Sequence, residues 1–274
     1  MEHELRERPI PWRTHSPTAL DYKDVPVDLS DPRSDEALVD VTEWGVAARG
    51  YYARTDGWNA PYHRRFATAS DQVLCRRSVV ERLRDANERL SAFGVELFVL
   101  NAYRSLALQK ELWAFYIQKG SETLDDPTDA NCVAFAGEYC SDPREFDASD
   151  SRTWPTHLTG GAVDLTLRIR HTGEPLFMGS VFDDPADASH TAYFERVNAE
   201  HAGEQKRLPL SYAEALRNRR LLYWAMTESG FANYPYEWWH FDWGTQFWVT
   251  NSGPSGDTSA RPQCAWYGPA KASH

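Results

Sequence analysis

Apolar positions between residues 78 and 93 recur at intervals of three and four: Val79, Val80, Leu83, Ala86 and Leu90. That is the period of one helical face. Ser78 and Glu81 form a candidate capping box, each side chain meeting an otherwise orphaned backbone N–H, and Gly94 is the stop. The unbroken run VELFVL at 95–100 predicts a buried strand. A second helix is predicted over 105–119, with Leu108, Leu112 and Phe115 on one face and Gly120 as its C-cap. A third spans 211–229, with Ser211 and Glu214 as another capping box and Gly230 as terminator. The segment VDLTLRI at 163–169 reads as a strand that turns Val163, Leu165 and Leu167 to the core and Asp164 and Thr166 the other way. Residues 37–44 alternate in part and predict the first strand. Residues 238–249 are aromatic and extended, a strand and its return.

The rest of the chain lacks period. Residues 51–66 are aromatic and irregular, a structured loop lining something, and residues 121–155 read as a long loop, a feature often tied to function. Residues 1–36 are rich in Pro, Asp, Arg and Glu and predict a leader or loosely packed arm. Residues 251–274 predict an irregular tail. The expectation is one α+β domain over 37–250, with helices packed on a mainly antiparallel sheet.

Composition changes this picture little. With 274 residues, 42% of them hydrophobic, a sizeable core is available. The net charge of -11 and pI near 5.3 argue against nucleic acid and against an anionic membrane surface. Cys75, Cys132, Cys140 and Cys264 contain no C-x-x-C pair, which argues against a thiolate metal site. Cys132 and Cys140 are the one candidate disulfide. The first 17 residues hold no apolar signal core, and no stretch approaches membrane-spanning length. The expectation is a cytoplasmic protein with free thiols.

Three short constellations carry chemistry. In THLTGGAVD at 156–164, the paired glycines permit a tight turn that returns His157 beside Asp164, and imidazole and carboxylate are both good metal ligands. In EWWH at 237–240, a regular strand would point Glu237 and His240 to opposite faces. They meet only if Glu237 lies in the turn after Pro235, at a bulge, or in a helical turn. One ligand plus one acid–base carboxylate suits a hydrolytic site. In NAYR at 101–104, Arg104 sits where strand passes to helix, placed to stabilise an oxyanion. Each has a plainer reading: Asp164 paired with Arg168, Glu237 solvated after a proline turn, Arg104 paired with Asp71. His3, His15, His63, His171, His190, His201 and His274 have no comparable context.

Together these pieces resemble the D-Ala-D-Ala dipeptidases, the VanX-like branch of the zinc D,D-peptidases (peptidase family M15). The family pattern S-x-H-x-x-G-x-A-x-D is matched at His157, Gly160, Ala162 and Asp164. E-x-W-H is matched at Glu237, Trp239 and His240, and the upstream Y-R at Tyr103 and Arg104. The resemblance covers roughly residues 39–248. It implies one zinc ion per chain held by His157, Asp164 and His240, Glu237 as general base and Arg104 as transition-state stabiliser. The segment MGSVFD at 178–183 resembles the family's M-G-x-x-F-D, which implies that Asp183 binds the substrate's amine. Tyr52 aligns loosely as a pocket residue, and Trp238 is a core side chain that is also a candidate for substrate contact. The implied partner is a small D-containing dipeptide. Alternatives are a D,D- or L,D-carboxypeptidase on cell-wall stem peptides, an amidase on a specialised metabolite, or a non-catalytic zinc-binding interaction module. The chain departs from the pattern at Pro155 (Ser expected), Asn101 (often Asp) and Ser105 (Pro expected), changes that bear on the substrate more than on the metal.

Overall fold

A computed structural model describes residues 4–11, 21–252 and 262–271. Its centre is a five-stranded sheet in the order β2 (Ala47–Ala48), β4 (Val95–Asn101), β5 (Ala162–Ile169), β7 (His240–Asp242), β6 (Ala232–Asn233). Only the β2–β4 pair is parallel. A separate antiparallel pair joins β1 (Leu38–Asp40) to β3 (Leu74–Arg76). Helices α2 (Arg77–Leu90) and α6 (Leu210–Thr227) pack against the central strands and each other. The α+β expectation with a mainly antiparallel sheet therefore holds.

Strand β5 is buried from Ala162 to Thr166 and on through Leu167. Asp164 and Thr166 do face away from Val163 and Leu165, but that second face is also covered. Between Val99 and Asn101 the β4–β5 register shifts, so that Asn101 comes opposite Asp164. On the other side Asp164 is opposite His240. Three polar residues thus lie abreast across three strands at one end of the sheet.

Both expected capping boxes are absent. Helix α2 starts at Arg77, and the backbone N–H of Ser78 donates to Glu36 Oε2 at 3.0 Å, while the Ser78 hydroxyl lies 2.7 Å from that of Tyr267. A carboxylate 42 residues away caps this helix, satisfying the orphan donor and favouring the positive end of the helix dipole. Helix α6 begins after Pro209 without a side-chain cap. Helix α3 (Leu106–Thr123) runs past Gly120, which lies in the helix because α4 (Asp129–Gly137) crosses there: a Cβ on Gly120 would stand 3.1 Å from Phe135. Helix α4 itself occupies part of the expected long loop, and α5 (Tyr193–Gly203) was not expected. The extended return after β7 is instead α7 (Gln246–Asn251).

The leader is not a loose arm over its described residues. Its α1 (Glu4–Glu7) packs on α6, Trp224 Nε1 donates to the Arg8 carbonyl at 2.9 Å, and Ile10 is buried. The described part of the tail is irregular but equally tied down. Ala265 bridges to Val27, and Trp266 and Tyr267 are buried. All four cysteines are free thiols, so Cys132 and Cys140 do not pair. No helix among the described residues is long and apolar enough to cross a membrane. His3, His15 and His274 lie outside the described residues.

Candidate active site

His157 stands in a single 3-10 turn, Thr156–Thr159, that ends at Gly160 in the left-handed region (φ 74°). Gly161 follows with no room for a side chain, since a Cβ there would meet the Trp243 carbonyl at 2.6 Å. The turn folds back over the start of β5, and its backbone is pinned by Arg76, whose Nε donates to the Thr159 carbonyl at 2.8 Å. His157 and Asp164 are thereby brought together, Nε2 to Oδ2 at 3.2 Å. His240 reaches the same carboxylate from β7, Nδ1 to Oδ1 at 3.0 Å. All three are buried, and one donor atom from each lies within 4.8 Å of the others.

The hydrogen bonds behind the imidazoles assign their tautomers. His157 Nδ1 lies 2.8 Å from the Ala102 carbonyl, which can only accept, so Nε2 carries the lone pair. His240 Nε2 lies 2.8 Å from Asp242 Oδ2, which leaves Nδ1 facing inward. Asp242 is itself held by the hydroxyls of Thr156 and Thr245, which donate to Oδ1 at 2.6 and 2.7 Å. Asn101 Nδ2 donates to Asp164 Oδ2 at 2.8 Å. Two inward lone pairs and an oriented carboxylate, each backed by an outer partner, form a donor set that fits a divalent ion.

The charges agree with this geometry. Burial alone would raise the Asp164 carboxyl, but His157 and His240 hold it well below the usual range. Burial lowers His157, with Asp164 only partly opposing. For His240 burial is overcome by Asp242 and Asp164 together, and its affinity for a proton rises. A neutral His157 beside a proton-hungry His240 marks a place where a cation is favoured.

Glu237 precedes β7 in a turn: its N–H donates to the Tyr234 carbonyl at 3.0 Å, and its own carbonyl accepts from His240 N–H at 3.3 Å. This turn resolves the face problem of the sequence, putting Glu237 Oε2 3.7 Å from His240 Nδ1. Burial, reinforced by Asp164 and Asp183 and opposed by His240, raises the Glu237 carboxyl to about 7. Arg104 enters from the segment between β4 and α3. Its Nη2 is 3.6 Å from Asp164 Oδ2 and donates to Tyr52 OH at 3.1 Å. Burial opposes its charge, but Tyr52, Asp164 and Asp183 more than restore it.

Asp183, with φ of 60°, faces this group from the loop 178–190. Its Oδ2 accepts from Tyr52 OH at 3.0 Å and Tyr62 OH at 2.8 Å. Burial raises its carboxyl to about 6, with Arg104 and the two tyrosines opposing and Asp164 assisting. The loop is anchored by Arg219, which is 1% exposed. Arg219 donates to the carbonyls of Met178, Ala188 and His190 at 2.7, 2.5 and 2.8 Å, and burial lowers it to about 9. Trp238 is buried, its indole N–H donating to Ser180 Oγ at 2.9 Å, so it supports this loop from the core side.

The plainer pairings do not occur. Arg168 pairs with Glu96 at 2.7 Å and Asp71 with Arg65 at 2.6 Å. Sequence reasoning passed over Asp242, Tyr62, Arg219 and the part played by Asn101. Asp242 had a legible signal, since a residue two beyond His240 on a strand shares its face, and Tyr62 lies in the aromatic loop 51–66 expected to line something. Ser105, at one departure from the family pattern, accepts from Leu108 N–H and caps α3. Pro155, at another, precedes the His157 turn.

Comparison with known proteins agrees with the motifs. The family model described as D-Ala-D-Ala dipeptidase, Peptidase M15, matches residues 38–252. A D-alanyl-D-alanine dipeptidase of Escherichia coli is 32% identical over 149 residues, which is 54% of this chain and 55% of the relative. One of Enterococcus faecalis is 28% identical over 171 residues, 62% of this chain and 73% of its own. One of Streptomyces coelicolor is 28% identical over 208 residues, 76% and 90% respectively. The chain thus spans about half the length of the first relative and most of the last.

Proposed function

The chain belongs to the Peptidase M15 D-Ala-D-Ala dipeptidase family, a family of metal-dependent hydrolases, and on that premise we propose that it hydrolyses D-alanyl-D-alanine or a closely related small D-amino-acid dipeptide with one zinc ion. The observation that carries this reading is the meeting of four functions in one cluster. A two-histidine, one-aspartate donor set, a carboxylate raised to about 7, a buried guanidinium and a second carboxylate between two tyrosine hydroxyls all converge there. Residues 37–250 form the catalytic unit in this reading, and the expected compartment is the cytoplasm.

His157, Asp164 and His240 would hold the ion. Bound there, zinc supplies Lewis acidity toward water and the scissile carbonyl; the donor set would also accept iron or cobalt. The remaining steps belong to side chains. Glu237 removes a proton from the attacking water through Oε2, and its raised carboxyl is close to neutral pH, which suits a group that first accepts and then returns a proton. The same proton passes to the leaving amine. Arg104 offers a fixed positive charge where the carbonyl oxygen becomes negative. Asp183 receives the free ammonium of the substrate. That last role favours a dipeptide over a cell-wall stem peptide, because the residue before the scissile bond of a stem peptide has an acylated nitrogen that no longer carries charge.

Replacing Glu237 by alanine tests the assignment. The variant should bind one zinc per chain as the wild type does and lose at least about a hundredfold in kcat on D-Ala-D-Ala, the scale of general-base catalysis. Retained turnover would remove Glu237 from the mechanism.

A further inference from the structure

Beyond Asp183, on the side of α3 and α4, a cavity of about 410 Å³ opens. Tyr116, Phe135 and Tyr139 line it from α3 and α4, Val181 and Phe182 from the loop 178–190, and Asp183 belongs to the same lining. The aromatic wall is preformed: Tyr116 and Tyr139 stack with centroids 4.1 Å apart, and Phe135 leans on Tyr139 at 5.0 Å. Tyr116 OH is fixed 2.7 Å from Tyr62 OH, which in turn donates to Asp183, so the wall and the carboxylate are one connected unit. The wall exists because α4 folds back on α3 at Gly120. The outer rim holds the exposed Lys119 and Val181, the latter 60% exposed.

We propose that this cavity is a side-chain subsite for the amine-bearing residue of the substrate, selecting a large apolar, preferably aromatic, side chain over the methyl group of D-alanine. The inference rests on the reading of Asp183 as the ammonium site. An α-amino acid whose ammonium meets Asp183 carries the first atom of its side chain two bonds from that nitrogen, which puts it at the mouth of the cavity that Asp183 lines. A methyl group would touch only that mouth. A benzyl group would reach the stacked tyrosines, where ring-on-ring contact adds to burial. The volume falls within the roughly 300–1,000 Å³ of cavities that hold small organic ligands, and its walls are mainly carbon. Asn101 contacts Asp164 and His157, Ser105 caps α3, and neither of these departures lines the cavity.

The test is calorimetric binding of non-hydrolysable amino alcohols to the zinc-loaded full chain: D-alaninol, D-leucinol, D-phenylalaninol and N-acetyl-D-phenylalaninol. Affinity should rise along the first three by at least about tenfold, from the added apolar burial. Acetylation, which removes the positive charge, should abolish most of that affinity. Val181→Trp, which narrows the cavity from its exposed rim, should flatten the series. Measurable but equal affinity for the three amines would overturn the subsite and leave the proposed hydrolysis of D-Ala-D-Ala standing. Failure of all three to bind would overturn both the subsite and the ammonium role of Asp183. Equal binding of the acetylated alcohol would likewise overturn the proposal. Turnover of D-Ala-D-Ala, measured separately, reports on the hydrolysis itself.

Discussion

Asp242 touches no substrate and offers no donor atom to the metal cluster, yet it should govern metal affinity. It is 1% exposed and accepts three hydrogen bonds, from His240 Nε2, Thr156 Oγ1 and Thr245 Oγ1. The first engages Nε2, so that Nδ1 is the nitrogen turned toward the metal cluster, and fixes the ring. Asp242→Asn preserves shape and volume but removes the charge, and its amide must present oxygen to the imidazole while its NH2 meets hydroxyls that must turn to accept. Outer-sphere partners of metal-bound histidines are worth about 10- to 100-fold in affinity, or about 1.4–2.7 kcal/mol. Asp242→Ala is the less useful variant: it strands three buried donors at roughly 1–3 kcal/mol each and threatens the fold. Competition with a chromophoric chelator measures the zinc Kd directly. The asparagine variant should bind zinc about 10- to 100-fold more weakly while melting within a few degrees of wild type. An unchanged Kd would refute the claim that Asp242 orients His240.

Asp183→Asn should raise KM for D-Ala-D-Ala at neutral pH with a smaller effect on kcat. In the wild type, kcat/KM should fall as pH drops through about 7, where Glu237 gains a proton, and should show a second, steeper limb through about 6, because protonation of Asp183 removes the charge that holds the ammonium. Bound amine favours the carboxylate, so this limb should lie at lower pH in kcat than in kcat/KM, and the asparagine variant should lack it; a pH–rate series on both proteins checks this. Arg219→Lys keeps the charge but cannot reach three diverging carbonyls in a fixed plane. It should cost roughly 3 kcal/mol, seen as a fall in Tm of roughly 6–12 °C, and raise KM more than it lowers kcat, since the loop it anchors carries Asp183. An equal loss in both kinetic constants would argue against that link.

The metal cluster was legible in the sequence because its parts are local. A histidine, two glycines and a carboxylate within eight residues define a turn into a strand, and Glu237 with His240 needs only one further turn. What stayed hidden depends on long-range registry. Nothing near Ser78 shows that Glu36 caps α2, so a local Ser–Glu pattern suggested a cap that the fold does not use. The part played by Asn101 depends on the register shift that sets it opposite Asp164. Arg219 sits on a helix whose neighbours are charged, and its burial follows from the loop that wraps it with carbonyls. The aromatic loop 51–66 was expected to line something, and Tyr52 and Tyr62 from it hold Asp183. Helix α4 escaped notice because it is short and most of its side chains are small, with Val133 and Phe135 its large apolar ones, and its position is set by packing on α3.

The central claim is metal-dependent, stereoselective cleavage of a D,D-dipeptide. Its most direct test is product release from D-Ala-D-Ala by the zinc-loaded protein, beside L-Ala-L-Ala and a chelator-treated control. The account predicts cleavage of the D,D-dipeptide alone, lost on chelation and restored by added zinc. Cleavage that survives complete metal removal, or zinc-loaded protein that cleaves the L,L-dipeptide as readily, would contradict it.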